Sequence, residues 1–295
     1  MSLVPFDDRD GWIWLDGQFV PWREAKVHVL THGLHYASSV FEGERMYGGE
    51  IFKLTEHTER LFKSAEILDF KIPYTVAEID EACKATAAKN GLKDCYVRPI
   101  AWRGSEMIGV SAQQTKIHVA IAVWEWPSYF DPATKAKGIR LTWAKYQRPD
   151  PTAPVAAKAA GLYMICTISK HAAEKDGYAD AMMLDYRGYV AEATGANVFF
   201  VKDGALHTPK PDCFLDGITR RTVIDIAKGK GIEVVERHIQ KEELSGFTEC
   251  FIVGTAAEVT PVSEVGEFKF TPGKLSLDLM DTYAALVRGQ AMAEA

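Results

Sequence analysis

The sequence predicts an α+β fold in two domains, and three observations lead to this prediction. The N-terminal part contains paired strands joined by short turns, with two helices grouped together instead of alternating with the strands. A proline- and aromatic-containing stretch at 127–137 interrupts the strand pattern, which begins again at Gly138. A chain of 295 residues is long enough for one large or two medium domains. We therefore expect a small domain at 1–126, a linker at 127–137 and a larger domain at 138–295.

Glycine-containing dipeptides predict the hairpins. Asp16-Gly17 and Gly48-Gly49 each separate two apolar segments, as two-residue hairpin turns do. Arg187-Gly188 and Asp203-Gly204 predict two more hairpins in the second half. Strands in the first half are expected at 12–15, 18–20, 40–47, 51–54, 95–102 and 116–126.

Cap residues predict where the helices begin. Thr55 is expected to cap a first helix, and Thr75 with Glu78 forms a capping box that opens a second helix. That second helix should end near Asn90, which is followed by glycine. In the second half we expect helices at 155–175, 217–230 and 276–289.

Composition excludes several classes of protein. The net charge of −6 disfavours nonspecific binding to nucleic acid or to anionic membranes, which both require a basic surface. No apolar run approaches the roughly 20 residues of a membrane-spanning helix, and the N-terminus lacks the pattern of a secretory leader. The five cysteines are scattered and form no Cys-x-x-Cys pair, so neither a disulfide framework nor a metal site is expected. These features predict a reduced, cytoplasmic protein.

Lys158 is the strongest candidate for chemistry. Its neighbours at 153–163 are nearly all small and apolar, and an amine kept from ion pairing loses its proton more easily, as Schiff-base chemistry requires. Downstream, Glu192 could keep a pyridine nitrogen protonated, and Gly217 opens a helix whose start could bind a phosphate. Together these are the requirements of pyridoxal 5′-phosphate. A lysine by itself on an alanine-rich helix would more often be a surface residue. It is the downstream motif that favours a cofactor-binding role for Lys158.

That downstream motif resembles the signature of the class IV pyridoxal-phosphate-dependent aminotransferases. It comprises 192–199, 206–208 and 215–220 in the required order. The segments at 28–43, 96–99 and 254–262 are similar to the branched-chain amino-acid aminotransferases within that class, so the resemblance covers nearly the whole chain. It implies fold type IV, in which a smaller N-terminal α/β domain precedes a larger, mixed, barrel-like domain and the cofactor lies at the domain interface.

The resemblance also implies which residues hold the cofactor. Lys158 should bind it covalently and move the proton between substrate and cofactor, while Glu192 faces the pyridine nitrogen and Tyr163 the phenolic oxygen. Asn197 is expected to be structural and to bond the backbone of a loop. The phosphate and the surrounding loop are assigned to Arg60, Leu215, Gly217, Ile218, Thr219 and Thr255.

Substrate recognition follows from the same resemblance. The α-carboxylate is assigned to Tyr96, Thr255 and Ala256, and the distal carboxylate of glutamate to Arg98 together with Tyr36 of a neighbouring subunit. Val110 of a neighbour should also reach the pocket, so a homodimer or a larger homo-oligomer is expected. In its loop this chain has Met107-Ile108-Gly109-Val110 where branched-chain enzymes often have Gly-Met-Gly-Val, which leaves the exact side-chain preference open. The apolar lining is assigned to Phe41, Trp126, Tyr129 and Tyr163.

The implied activity is transfer of the amino group of leucine, isoleucine or valine to 2-oxoglutarate in two half-reactions. Three activities of the same fold are alternatives: D-amino-acid aminotransferase, (R)-amine transaminase and aminodeoxychorismate lyase. A catalytically silent homologue that only binds the cofactor is a further alternative. The segments at 96–99 and 254–258 favour the branched-chain branch. The presence of four residues argues against a silent homologue: Lys158, Glu192, Tyr163 and Arg60.

Overall fold

The computed structural model describes residues 4–126 and 137–290, which divide into two compact units. Within the described residues, the first unit contains 4–126 and Ala157–Leu162, and the second contains 137–156 and 163–290. The segment around Lys158 thus belongs to the first unit, although the sequence placed it in the C-terminal domain. The linker expected at 127–137 falls outside the described residues except for its last position, so that boundary remains a prediction.

The first unit is built on a seven-stranded sheet with the order β2-β1-β7-β6-β4-β5, in which β3 also pairs with β6 and all pairings are antiparallel. Its fully buried core includes Leu61, Ile79, Val97 and Ile121. The strands are β1 Trp12–Leu15, β2 Gln18–Pro21, β3 Ser39–Phe41, β4 Glu44–Tyr47, β5 Glu50–Ile51, β6 Cys95–Arg103 and β7 Ile117–Glu125. The helices are α1 His32–Tyr36, α2 Leu54–Ile67 and α3 Val76–Lys89.

The second unit contains a nine-stranded mixed sheet with the order β10-β9-β8-β15-β14-β11-β12-β13, and β16 pairs with β15. Its core includes Leu141, Phe200 and Val262, which are fully buried. The strands are β8 Ile139–Trp143, β9 Asp180–Leu184, β10 Val190–Ala193, β11 Asn197–Lys202, β12 Ala205–Pro209, β13 Val234–Arg237, β14 Glu249–Gly254, β15 Glu258–Val265 and β16 Phe268–Lys269. The helices are α4 Met164–Lys175, α5 Ile218–Gly229 and α6 Lys274–Val287. Helices and strands in both units confirm the predicted α+β class.

The predicted hairpins are confirmed. Asp16 (φ 49°) and Gly17 (φ 90°) both have positive φ, as a type I′ turn requires, and they join β1 to β2. Gly48-Gly49 joins β4 to β5, Arg187-Gly188 lies between β9 and β10, and Asp203-Gly204 joins β11 to β12.

One helix cap is confirmed and another is wrong. The Thr75 hydroxyl accepts from the N–H of Glu78, and the Glu78 carboxylate accepts from the N–H of Thr75, so the capping box opens α3 as predicted. Helix α2, however, begins at Leu54 after Lys53 in the left-handed conformation, so Thr55 lies inside the helix. Its hydroxyl instead donates to Asp80 of α3 at 2.6 Å and links the two helices.

The helix expected at 155–175 begins later than predicted. Helix α4 starts at Met164, preceded by a 3-10 turn at Ala160–Tyr163. The alanine-rich part before that turn pairs with β3: the Phe41 N–H donates to the Lys158 carbonyl, and Ala159 bridges Val40. Because these backbone groups are committed to a strand, the helical propensity of alanine does not prevail.

Among the described helices, none has the length and apolar character needed to cross a bilayer.

Candidate active site

Lys158 is held by its backbone from two sides within the first unit. Its N–H donates to the buried hydroxyl of Ser64 in α2 at 3.0 Å, and its carbonyl accepts from Phe41 of β3 at 3.1 Å. Ala157 and Ala159 are buried on either side of the half-buried Lys158. The ammonium nitrogen lies 5.0 Å from the centre of the Phe41 ring. The small apolar neighbours therefore pack the segment into the unit, and Lys158 is directed toward an aromatic face.

Glu42, directly after Phe41, is fully buried and accepts hydrogen bonds from two side chains of α2. Arg60 donates through Nε at 2.6 Å and Nη2 at 2.9 Å, and His57 donates through Nδ1 at 2.7 Å. Burial raises the pKa of Glu42, but the charge of Arg60 and these hydrogen bonds outweigh burial and hold the pKa well below its usual 4.5. The ionised carboxylate therefore fixes one edge of the Arg60 guanidinium.

His57 is the neutral member of this cluster. Burial lowers the pKa of His57 below its usual 6.5; Glu42 opposes this shift, and the charges of Arg60 and Lys158 add to it. Because an ionised carboxylate only accepts hydrogen bonds, the proton of the neutral ring lies on Nδ1. Helix α2 thus carries His57, Arg60 and Ser64 on the side that faces Glu42 and Lys158.

Arg98 of β6 is surrounded by aromatic rings. Its guanidinium carbon lies 4.9 Å from the centre of the Phe41 ring and 5.2 Å from that of Tyr96, and Nη2 donates to the Tyr96 hydroxyl at 3.3 Å. The Trp126 ring centre lies 4.8 Å from that of Tyr96. Phe41 contacts both Lys158 and Arg98. Four residues predicted to contact a substrate thus form one cluster in the first unit, and Phe41 connects this cluster to Lys158.

Glu192 is the predicted partner of the pyridine nitrogen and lies in the second unit. It is buried in β10, where Oε1 lies 3.3 Å from Arg148 Nε and Oε2 accepts from Asn197 Nδ2 at 3.2 Å. Asn197 also donates to the Leu215 carbonyl and accepts from the Gly217 N–H. Asn197 thus bonds loop backbone, as predicted, and it connects Glu192 to the segment that precedes α5.

The start of α5 shows why position 217 is glycine. Gly217 has an ordinary negative φ of −66°, so a left-handed turn is not the reason. A Cβ at this position would overlap the side-chain oxygen of Asn197. Close approach to Asn197, and not a backbone conformation that only glycine adopts, therefore explains the glycine at this position. The N-cap residue, Gly217, has no side chain with which to cap this helix, whose first two residues, Ile218 and Thr219, are buried.

Two residues of the downstream motif contact each other and stabilise the second unit. Arg220 is fully buried and donates to the Thr208 hydroxyl at 3.3 Å, to Asp216 at 2.9 Å and to Glu236 at 2.7 Å. Thr208 in turn donates to the Val198 carbonyl. These positions of the motif therefore hold β12 and β13 against α5.

The remaining predicted residues of the second unit lie at turns. Thr255 and Ala256 are half-buried between β14 and β15, where Glu258 has a positive φ of 54°. Tyr163 is half-buried at the N-terminal end of α4. Tyr129 lies outside the described residues.

Tyr36 and Val110, the residues expected to reach a neighbouring subunit, are exposed in the first unit. Tyr36 stacks on His32 with ring centres 4.6 Å apart, and His32 Nε2 is bonded to the Gly109 carbonyl at 2.9 Å. Val110 is 86% exposed. Helix α1 and the loop at 104–110 therefore form one surface.

Asp185, Asp212 and Cys213 offer ligand atoms within 4.8 Å of one another. Arg187 donates to both carboxylates, at 2.7 and 2.9 Å, and burial raises the pKa of the Cys213 thiol to about 12. The carboxylates are thus neutralised by a guanidinium and the thiol keeps its proton, so this group is an ion-pair network of the second unit.

Several residues that contact the predicted site were missed by reasoning from the sequence. Glu42 lies inside a motif but has no evident partner until the fold brings β3 against α2. His57 and Ser64 precede and follow Arg60 by three and four residues, and this helical spacing is a signal that could have revealed them. Trp124 lies opposite Tyr96 in the β6–β7 register and was missed as well.

The chain is similar to proteins of known family over nearly its full length. The model of the family described as amino-transferase class IV matches residues 39–265. The branched-chain-amino-acid aminotransferase of Pseudomonas aeruginosa is 42% identical over 98% of this chain and 96% of its own. That of Escherichia coli is 39% identical over 89% of this chain and 87% of its own. A solved T.th. branched-chain amino acid aminotransferase in complex with N-(5′-phosphopyridoxyl)-L-glutamate superposes with a TM-score of 0.91 at 40% identity, covering 96% of this chain and 95% of that one.

Proposed function

Because the chain belongs to the class IV aminotransferase family, we propose that it is a branched-chain L-amino-acid aminotransferase that uses pyridoxal 5′-phosphate. It transfers the amino group of leucine, isoleucine or valine to 2-oxoglutarate. Both named relatives are branched-chain enzymes, and the solved relative was studied with a phosphopyridoxyl derivative of glutamate. The main support for the substrate assignment is the position of the Arg98 guanidinium against the rings of Phe41 and Tyr96, which places a cation beside aromatic surface.

The donor groups fit this cofactor. Lys158 would supply the amine that holds it and would serve as the acid–base group for the proton at the substrate Cα. Arg60, fixed by Glu42, supplies a guanidinium for the phosphate, and Glu192, fixed by Asn197, supplies a carboxylate for the pyridine nitrogen. When bound, pyridoxal phosphate supplies the electron sink that lets the substrate Cα lose its proton.

The remaining cofactor contacts are assigned by the family pattern. The uncapped start of α5 offers N–H groups to an anion at Ile218 and Thr219, and the Thr255 hydroxyl adds a further donor. Gly217 and Leu215 form the loop that leads into that helix, and Asn197 bonds both. Tyr163 would hold the phenolic oxygen of the cofactor in this assignment.

One pocket has to accept a hydrocarbon side chain and also the charged side chain of glutamate. Phe41 and Trp126 supply apolar surface, and Arg98 at its margin supplies the partner for a second carboxylate. Tyr96, Thr255 and Ala256 are assigned to the α-carboxylate, which both kinds of substrate share. A leucine side chain then contacts the rings without requiring the guanidinium.

The active form in this proposal is a homodimer or a larger homo-oligomer. The surface of α1 and the neighbouring loops exposes large apolar side chains and surrounds a cavity of about 240 Å³ lined mainly by apolar groups. Burying such a surface against a second copy would remove it from water. Tyr36 and Val110 of one subunit would then contribute to the pocket of the other. The exposed residues are Val27, Val29, Leu30, Leu34, Tyr36, Ile108 and Val110.

We also propose a cytoplasmic location. All five cysteines are buried and free, as is usual where thiols are kept reduced.

A substrate panel tests the proposed function. The purified protein supplied with pyridoxal phosphate should form glutamate from 2-oxoglutarate with L-leucine, L-isoleucine or L-valine as the amino donor. D-Alanine, (R)-1-phenylethylamine and aminodeoxychorismate test the alternative activities of the fold. Turnover of one of these without turnover of the branched-chain amino acids would contradict the proposal. Cofactor binding without any turnover would indicate the silent homologue.

A further inference from the structure

Arg98 is a cation that the described part of the chain leaves without a counter-charge. No described carboxylate forms an ion pair with it, and its Nε is buried without a hydrogen-bond partner among the described residues. Its contacts are with three rings, whose centres lie 4.9 Å (Phe41), 5.2 Å (Tyr96) and 6.0 Å (Trp124) from the guanidinium carbon. A guanidinium packed on ring faces is stabilised by the cation–π interaction and keeps its hydrogen-bonding groups for another partner.

Trp124 lies at the centre of the aromatic cluster around Arg98. It is the cross-strand neighbour of Tyr96, and the two rings stack with centres 5.1 Å apart at an angle of 26°. The edge of Phe6 meets its ring at 5.2 Å, and Trp126 lies at 6.2 Å. Trp124 therefore contacts Arg98 directly and also supports Tyr96, which is the hydrogen-bond partner of Arg98.

The hydroxyl end of Tyr96 is confined as well. A Cβ at Gly43 would overlap the Tyr96 hydroxyl, so the absence of a side chain there makes room for it. With Trp124 stacked on its ring, Tyr96 has little freedom to move. The acceptor for Arg98 Nη2 is thus fixed at one end by a glycine and on one face by an indole.

Restricting the Arg98 side chain matters only for substrates that carry a second carboxylate. Ordering a long arginine side chain upon binding costs conformational entropy, and a side chain that is already ordered avoids this cost. The second carboxylate of glutamate or 2-oxoglutarate requires the guanidinium in place, whereas the side chain of leucine does not. Loss of a residue that restricts Arg98 should therefore weaken the binding of dicarboxylates more than that of monocarboxylates. If that residue also supports Tyr96, which is assigned to the shared α-carboxylate, both kinds of substrate should show a smaller common loss.

We propose that Trp124 is a positioning residue for Arg98 and that it thereby sets the affinity of this enzyme for substrates with a second carboxylate. This inference rests on the proposed function, because it takes Arg98 as the partner of that carboxylate. Trp124 acts through Arg98 and Tyr96 and not by direct contact with the carboxylate.

The test is calorimetric titration of the holoenzyme with two unreactive ligands. Glutarate carries the second carboxylate, and 4-methylpentanoate carries the leucine side chain. Trp124→Leu, which removes the ring, should weaken glutarate binding by about tenfold or more. 4-Methylpentanoate depends on Tyr96 but not on Arg98, so its binding should weaken by a clearly smaller factor, about threefold or less. Trp124→Phe, which keeps a smaller ring, should recover most of the glutarate affinity. Trp12→Leu, a loss of tryptophan in β1 of the same unit, should change neither affinity.

Steady-state kinetics should show the same selectivity. In Trp124→Leu the KM for 2-oxoglutarate should rise by a clearly larger factor than the KM for 4-methyl-2-oxopentanoate, while the kcat changes little. Arg98→Ala should itself lose glutarate affinity, and adding Trp124→Leu to it should cause no further selective loss.

Each outcome decides a separate point. Equal losses for both ligands, or a selective loss that persists in the Arg98→Ala background, would overturn the role of Trp124. Full glutarate affinity in Arg98→Ala would instead overturn the proposed role of Arg98. If circular dichroism shows that Trp124→Leu does not fold, Trp124→Phe is used instead. We then expect a smaller loss of affinity that is still greater for glutarate than for 4-methylpentanoate. An equal loss of affinity for both ligands would contradict the inference.

Discussion

Glu42 and Glu44 lie two residues apart and are both fully buried, yet their charge states differ. Glu42 has Arg60 and His57 as partners and stays ionised. Neither oxygen of Glu44 has a hydrogen-bond partner among the described residues. Burial raises the pKa of Glu44 well above its usual 4.5, the negative charges of Glu42 and Asp80 add to the shift, and Arg60 opposes it. Single side chains thus decide where charge resides in this unit.

The pH dependence of stability should reveal Glu44. A carboxyl group with a raised pKa in the folded state stabilises the fold fully below its unfolded pKa near 4.5, and this stabilisation is lost as pH rises through the folded pKa. Between the unfolded and the folded pKa of Glu44, this carboxyl group should therefore lower the free energy of unfolding by up to about 1.4 kcal/mol per pH unit. Glu44→Gln should remove this slope and be the more stable protein at alkaline pH.

Urea unfolding between about pH 5 and pH 9 measures this slope. Glu59→Gln, which removes an exposed carboxyl group of α2, is the control and should keep the wild-type slope. Parallel curves for the wild type and Glu44→Gln would show that Glu44 does not titrate in this range.

Arg98→Ala should separate the two kinds of substrate. The second carboxylate of glutamate loses its partner, so catalytic efficiency with glutamate should fall by about 2–4 kcal/mol, as expected when a charged partner is removed. The loss with leucine should stay under about 1 kcal/mol, because its side chain carries no charge. Equal losses in kcat/KM would mean that Arg98 holds the shared α-carboxylate or supports the fold.

At the scale of elements, helix α2 joins two parts of the proposed site. One side of it carries Arg60, which Glu42 fixes, and Ser64, which accepts from the Lys158 backbone. Strand β3 contacts the same Lys158 segment through Phe41. The position of Lys158 therefore depends on a helix and a strand that lie about 100 residues earlier in the chain.

Ser64→Ala should weaken this anchoring. A backbone N–H that loses its partner costs about 1–3 kcal/mol, so both the free energy of unfolding and the rate of the leucine half-reaction should fall. Thr75→Ala is the matched control, because it removes a hydroxyl from the cap of α3 and should cost about 1 kcal/mol of stability without slowing that half-reaction. Stopped-flow absorbance of the bound cofactor gives the rates. An unchanged rate in Ser64→Ala would show that this hydroxyl does not position Lys158.

The elements also show where sequence patterns succeed. The turn dipeptides and the Thr75–Glu78 capping box depend on local backbone chemistry, and the structure confirms all of them. The start of α4 was predicted wrongly, because Ala159 bridges Val40 and the Lys158 carbonyl accepts from Phe41 of β3, contacts that local propensity does not contain. Thr55 was misassigned for a similar reason, since Asp80 of another helix is its partner.

At the scale of the whole molecule, the family and the expected chemistry followed from ordered motifs spread along the chain. The contacts that hold the residues of those motifs in place did not follow from the sequence. Three contacts join residues that lie well apart in the sequence: Glu42 with Arg60, Glu192 with Arg148, and Trp124 with Arg98. Nothing in one sequence specifies such pairs until a fold brings them together.

The exposed apolar surface around α1 should be an interface between two copies of this chain. Leu34 is 63% exposed and lines the apolar cavity there, so Leu34→Asp should place a charge in the interface and shift the protein toward a monomer with reduced activity. Leu286→Asp, at an exposed site in α6, is the control and should leave assembly unchanged. Analytical ultracentrifugation at the assay concentration measures the assembly state of both variants and of the wild type. A wild-type protein that is monomeric and fully active would contradict the proposal.

The central claim is that Lys158 carries the cofactor of a pyridoxal-phosphate-dependent aminotransferase. Reduction of the holoenzyme with sodium borohydride, followed by peptide mass mapping, identifies the lysine to which the cofactor is attached. We expect one phosphopyridoxyl group on the peptide that contains Lys158, and its loss when L-leucine is added before the reduction. Attachment to another lysine, such as Lys145 or Lys170, or no attachment at all, would contradict the account.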